Sequence, residues 1–244
     1  MKNMLTVQEI ADVLGVSPAI VMSYIEQGKV PAVEPDRFDL GAVLAVLGAE
    51  VVKEDPASFW TYEDYLKLPE APGCRFEILE GILVKEPSPS LHHQRISREL
   101  GRQLMAFFDQ YDPAGEFFFA PLDVTLSDSN VLQPDMIFVS SARKGIMHKE
   151  RIDGPCDLVV EIMSPASRRK DRLQKLEIYR KAGIPHYWLV DPEENTLEAF
   201  LLSNGDYALV ATGGPGDNFS NLQFPGLVLD LERVFRCPEL KKLE

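Results

Sequence analysis

Two short strings place acids where a folded chain tolerates them poorly. In Gln133-Pro134-Asp135-Met136-Ile137-Phe138-Val139 an aspartate opens an apolar run. In Asp157-Leu158-Val159-Val160-Glu161-Ile162 a glutamate sits near the end of another. Short apolar runs of this kind read as strands buried in the centre of a sheet. A carboxylate there is costly unless a metal or a cation compensates it. Two such carboxylates repel each other, and a hard divalent cation between them removes that cost. Asp135 and Glu161, each bordering such a strand, are therefore candidate metal ligands, with a solvated strand end as the plainer alternative.

Bulk properties narrow the classes. The chain has 244 residues, room for one large domain or a medium one with a small one. Its net charge of −13 argues against a general nucleic-acid coat but leaves room for a local basic cleft. Cys74, Cys156 and Cys237 are odd in number, widely spaced and without metal-site spacing, as expected in a reducing compartment. No apolar run approaches the roughly 18 residues of a membrane span, and Leu5 to Gly15 is too polar for a signal segment. These features point to a soluble, cytoplasmic protein.

Residues 1–50 read as a small helical domain. Thr6 and Glu9 form a capping box for a helix over Val7 to Leu14, and Ser17 caps a second helix that begins at Pro18 and stops at Gly28. Val30 to Val33 reads as an extended piece and Phe38 to Gly48 as a third helix. The outline, with Leu5 to Ser17 followed by Gly28-Lys29-Val30-Pro31-Ala32, resembles the excisionase-like branch of winged-helix, helix-turn-helix DNA-binding domains. Residues 1–55 hold nine acids against four bases, a net of −5, and Pro18 to Glu26 carries no Lys or Arg. Phosphate contacts need cations, so binding of protein rather than DNA by this unit stays open.

Residues 51–60 read as a linker and 61–244 as the main domain. Thr61 caps a helix over Tyr62 to Leu68, and Arg75 to Leu79 with Ile82 to Lys85 form a hairpin about Glu80-Gly81. Leu91 to Asp109 is a helix with Ile96, Leu100, Leu104 and Phe107 on one face. Strands are expected at 116–120, 122–126, 136–139, 158–162 and 186–190, with a hairpin of 196–202 and 207–212 across Ser203-Asn204-Gly205-Asp206. Strands mixed with a few long helices imply an α/β fold, a mixed sheet flanked by helices.

The helix expected over Arg168 to Ala182 is basic. Residues 165–181 contain seven bases against Asp171 and Glu177, a net of +5. A solvated helix face is the usual meaning of such a run. Here it follows directly on an acid-bearing strand, and an anionic substrate must approach those acids.

Residues 61–235 resemble the Uma-type restriction endonucleases, a branch of the PD-(D/E)XK nuclease superfamily. The likeness rests on Thr61-Tyr62-Glu63-Asp64-Tyr65, Arg75 to Gly81, His93-Gln94-Arg95-Ile96, Pro121 to Val124 and Gln133-Pro134-Asp135. Asp157 to Pro165, Lys175, Tyr187 to Pro192 and Pro225-Gly226-Leu227 complete it, in order. The resemblance implies a restriction-endonuclease-like fold and a metal-dependent endonuclease that hydrolyses DNA. Asp135 and Glu161 would hold Mg²⁺, or Mn²⁺ in its place, with the carbonyl of Ile162 as a further ligand. Met163 stands where the usual lysine would be, and the lysine moves to the next helix as Lys175. Glu77 would be the acid of the first hairpin, and His93 a position beside the site. Arg168, Arg169 and Lys170 would hold flanking phosphates. Cutting two strands with one site per chain suggests a homodimer. A DNA-binding regulator, or a protein-interaction module with an idle nuclease fold, remain the alternatives. Asp171 lies four residues before Lys175, so a surface ion pair is the plain reading of that lysine.

Overall fold

The structure, a computed structural model, describes residues 4–7, 32–34, 37–39, 59–68 and 73–237. Near the amino terminus, β1 (Met4–Leu5), β2 (Ala32–Glu34) and β3 (Arg37–Asp39) form an antiparallel sheet in the order β1-β3-β2. The expected extended piece, Val30 to Val33, overlaps β2 at Ala32 and Val33, and its first two residues lie outside the described residues. Phe38 and Asp39 belong to β3, so the third helix does not begin at Phe38. The rest of that helix, the two helices before it apart from Thr6 and Val7, and most of the linker lie outside the described residues.

In the main domain, Thr61 forms a capping box with Asp64 at the start of α1 (Tyr62–Tyr65). β4 (Cys74–Leu79) and β5 (Ile82–Pro87) pair about Glu80 and Gly81, whose φ angles of 52° and 80° define the primed turn that matches strand twist. Helix α2 (Leu91–Tyr111) is followed by β6 (Glu116–Phe119), β7 (Asp123–Ser127), β8 (Asn130–Leu132) and β9 (Met136–Val139). Next come β10 (Arg151–Asp153) and β11 (Leu158–Ile162). A π-helical stretch, Lys170–Lys175, runs into α3 (Leu176–Ala182), which Gly183 ends in the left-handed conformation. β12 (His186–Asp191), β13 (Thr196–Ser203) and β14 (Asp206–Gly213) complete the larger sheet, and β15 (Asn218–Ser220), β16 (Val228–Asp230) and α4 (Leu231–Phe235) follow.

Two sheets carry the main domain. The six-stranded sheet has the order β14-β13-β12-β11-β9-β6 and is mixed, because β11 and β12 are parallel while its other pairs are antiparallel. The second sheet, β10-β7-β8-β4-β5, was not separated from the first in the sequence. Its strands β8 and β10 have three residues each, too short for a periodicity to show. Among the described residues no helix is long and apolar enough to cross a membrane.

Alternation along the central strands divides the core. Met136, Phe138, Leu158, Val160, Ile162, Trp188 and Val190 face one cluster, which α2 covers with Ile96, Leu100, Leu104 and Phe108. Phe108 rather than Phe107 takes the fourth place in that stripe, and its ring stacks on Phe138 at 3.8 Å. The odd-numbered residues Ile137, Val159, Tyr187 and Leu189 face a second cluster with Leu79, Val124, Ile178 and Tyr179. Leu100 is wholly buried. Leu100→Ala is expected to destabilise the protein by about 3 kcal/mol, read as a lower urea midpoint with an unchanged slope.

Candidate active site

The same alternation aims three acids into the second core. Glu77 is two residues before Leu79 on β4, and Glu161 is two residues after Val159 on β11. Asp135 is two residues before Ile137, just ahead of β9. The antiparallel register pairs Val160 with Met136, so one step on sets Glu161 beside Asp135. The Ile162 N–H donates to Asp135 Oδ2 at 2.8 Å and fixes that end of the ladder. Glu77, Asp135 and Glu161 are 0, 4 and 2 % exposed. They are buried acids, not solvated strand ends.

Lys175 answers them from the helix. Its Nζ donates to Glu77 Oε1 at 3.0 Å and to Glu161 Oε1 at 2.9 Å, with Asp171 Oδ1 at 3.9 Å. Lys175 and Asp171 are both buried, which overturns the surface-pair reading. The π-helical stretch ends at Lys175, and such widened turns recur at functional sites. One turn on, the Tyr179 hydroxyl donates to the same Glu161 Oε1 at 2.6 Å.

The charges divide unevenly. Burial opposes ionisation of Glu77, but Lys175, Lys170, Arg75 and the Gln133 N–H outweigh it and lower its pKa to about 2. Burial likewise opposes ionisation of Asp135, and the hydrogen bond and charge of His93, then Arg75 and the Ile162 N–H, lower its pKa. Burial raises Glu161 to about 8, helped by Asp171, Asp135 and Glu77 against the pull of Lys175. Burial disfavours the Lys175 ammonium, yet Glu161, Glu77 and Asp171 lift its pKa well above the ordinary lysine value. Lys175 is thus a fixed cation, and Glu161 is the acid of the three whose ionisation burial opposes most.

The flanks carry the remaining residues. His93 Nε2 lies 3.1 Å from Asp135 Oδ2, and Arg75 Nη1 lies 3.5 Å from Oδ1. Lys170 pairs with Glu86 and stands 4.0 Å from Glu77. Arg169 is exposed, whereas Arg168 is tied to Asp191 at 2.7 Å and Glu193 at 2.9 Å. Arg75, Tyr179, Asp171 and Gln133 were not singled out as site residues from the sequence. A signal was present: Asp171, Lys175 and Tyr179 are spaced by four on one helix, and Arg75 and Glu77 by two on one strand.

A divalent cation suits this donor set. The ligands are hard carboxylate oxygens, and Glu77 Oε2 and Asp171 Oδ1 are buried without hydrogen-bond partners. Among the described residues no group of three or more His, Cys, Asp or Glu is arranged as a metal cage. Mg²⁺ does not require one, since it commonly binds one or two carboxylates and keeps several waters.

Removing the fixed cation tests the electrostatics. In Lys175→Met the stem volume stays and the charge goes, so the pKa values of Glu77, Glu161 and Asp171 rise. The folded state then holds more protons than the unfolded state between pH 5 and 8, and stability falls as pH rises. Urea unfolding should show a loss of about 3–5 kcal/mol at pH 8 and a smaller one at pH 5. An equal loss at both would place the effect in packing alone.

Comparison with known proteins agrees with this architecture. The Uma2 family, described as "Putative restriction endonuclease", matches residues 62–232. A solved structure described as "a putative nuclease belonging to DUF820 from Anabaena variabilis ATCC 29413" superposes with a TM-score of 0.58 at 23% identity. The match covers 72% of this chain and 97% of that one, and establishes a shared fold. No curated protein matches the chain. With 62–232 spanning well over half of its residues, the chain belongs to the Uma2 family of restriction-endonuclease-like proteins.

Proposed function

We propose that this protein is a metal-dependent nuclease that hydrolyses phosphodiester bonds in DNA. The observation that carries the reading is the buried pairing of Lys175 with Glu77 and Glu161, with Asp135 set beside Glu161 by the sheet register. Family membership and fold support nuclease chemistry of this kind.

Asp135 and Glu161 would hold Mg²⁺ or Mn²⁺, with the carbonyl of Ile162 as a further ligand. The bound ion would lower the pKa of a coordinated water and polarise a phosphoryl oxygen. Lys175 and Tyr179 both engage Glu161 Oε1, which reserves Oε2 for a cation. The Gln133 N–H and Lys175 hold Glu77 Oε1, so Glu77 keeps the ammonium in place. The Lys175 ammonium would orient the attacking water or stabilise the extra negative charge of the transition state. Arg169 and Lys170 would steady flanking phosphates, with Arg168 contributing once it leaves Asp191 and Glu193.

Asp135→Asn keeps the shape and removes the charge. Cleavage of a DNA mixture in Mg²⁺ or Mn²⁺ should fall by about a hundredfold or more. DNA binding should persist or tighten as acid–phosphate repulsion falls, and the heat of Mn²⁺ binding in calorimetry should disappear. A variant that cleaves like the wild type would exclude this site.

A further inference from the structure

Two clefts flank the buried acids. One, of about 460 Å³, is lined by Glu161, Lys170 and Lys175. The other, of about 480 Å³, is lined by Asp135, Gln94, Ser97 and Phe119. Arg75 and His93 border both, so the two lie on either side of one ridge. The Arg75 Nε is buried on that ridge without a hydrogen-bond partner.

Phe119 is the unusual wall. It lies on β6, an edge strand, and is 38 % exposed in a cleft that it shares with Asp135 and several polar groups. A single exposed apolar side chain is ordinary on a protein surface. This ring is held in place on one side by Gly101 of α2, where a Cβ would collide with it. On another it meets Phe117 edge to face, at 5.4 Å and 71°. A fixed aromatic face on a cleft wall, with amide and hydroxyl groups of Gln94 and Ser97 nearby, has the makings of a base-stacking platform.

The recess of the acids bears on the form of the substrate. A duplex is a stiff rod, and its phosphates stand outside paired bases. Carboxylates 4 % exposed or less are reached more readily by a strand whose bases can splay apart. We propose that the second cleft is a nucleobase subsite. An unpaired base of the substrate strand stacks on Phe119, and the adjoining phosphate crosses Arg75 to Asp135 and Glu161. The inference rests on the phosphodiester-hydrolase reading and names its substrate as a locally unpaired strand. One site per chain is then sufficient, without the paired copies that a double-strand cut requires.

The test measures binding and cleavage separately on the full chain. Binding is read by anisotropy with labelled 12-nucleotide DNA, the same sequence as RNA, and a hairpin duplex, in the Asp135→Asn background. Unpaired strands should bind at least about tenfold more tightly than the duplex, and Phe119→Leu should remove about tenfold from the unpaired strands only. Phe119→Trp should restore the affinity, and Ser97→Leu, which narrows the cleft from α2, should weaken it in the same way. The DNA and RNA arms distinguish the two sources of an unpaired strand. Equal binding of duplex and single strand, or equal effects of Phe119→Leu on both, would overturn the subsite. Cleavage of the same oligonucleotides by the Asp135-containing protein is scored apart. Cleavage without dependence on Phe119 overturns the subsite alone, binding that depends on Phe119 without cleavage overturns the hydrolase reading alone, and neither binding nor cleavage overturns both.

Discussion

The centre of this protein depends on one ammonium buried among three carboxylates. Lys175 reaches Glu77, Glu161 and Asp171 from a site with almost no solvent. Taking such groups out of water costs several kcal/mol for each ion, and well-packed apolar residues commonly give equal or better stability. Stability alone therefore does not account for the cluster. The hydrolytic site proposed above would, because hydrolysis of an anionic ester needs fixed positive charge and hard oxygen ligands in a place that excludes bulk water.

The sheet topology explains how those groups meet. Antiparallel pairing of β9 with β11 sets Asp135 beside Glu161, and the hairpin of the second sheet brings Glu77 over them. β11 and β12 are parallel neighbours, and parallel neighbours need a crossover connection. That crossover is the helical segment 168–182, and it packs Ile178 and Tyr179 into the same core that receives the acids. The lysine thus arrives on a connection the sheet requires in any case, which is physically why it can sit on the helix while Met163 stands just past the end of β11.

Much of this was legible from residues alone. Met136–Val139 and Leu158–Ile162 were read with the bounds they have, because such runs are too short for a helix and too apolar for a surface loop. Glu80-Gly81 and Asn204-Gly205 marked both hairpins, and each pair adopts positive φ. Other features were hidden. The π-helical turn leaves no mark in composition, so Asp171 and Lys175 looked like an exposed pair until burial distinguished them. Arg168 looked free for phosphate because its partners, Asp191 and Glu193, are more than twenty residues away. Tyr179 belongs to no motif read from the sequence, and its 2.6 Å bond to Glu161 is what sets it apart.

The central claim is that Asp135 and Glu161 form one cation site against which Lys175 is held. Anomalous diffraction from crystals soaked in Mn²⁺ tests it most directly. The expected result is a single peak with oxygens of both carboxylates at about 2.0–2.6 Å, and loss of that peak in Asp135→Asn. A peak elsewhere, or an Asp135–Glu161 site that stays metal-free while Lys175 keeps its place between Glu77 and Glu161, would contradict it.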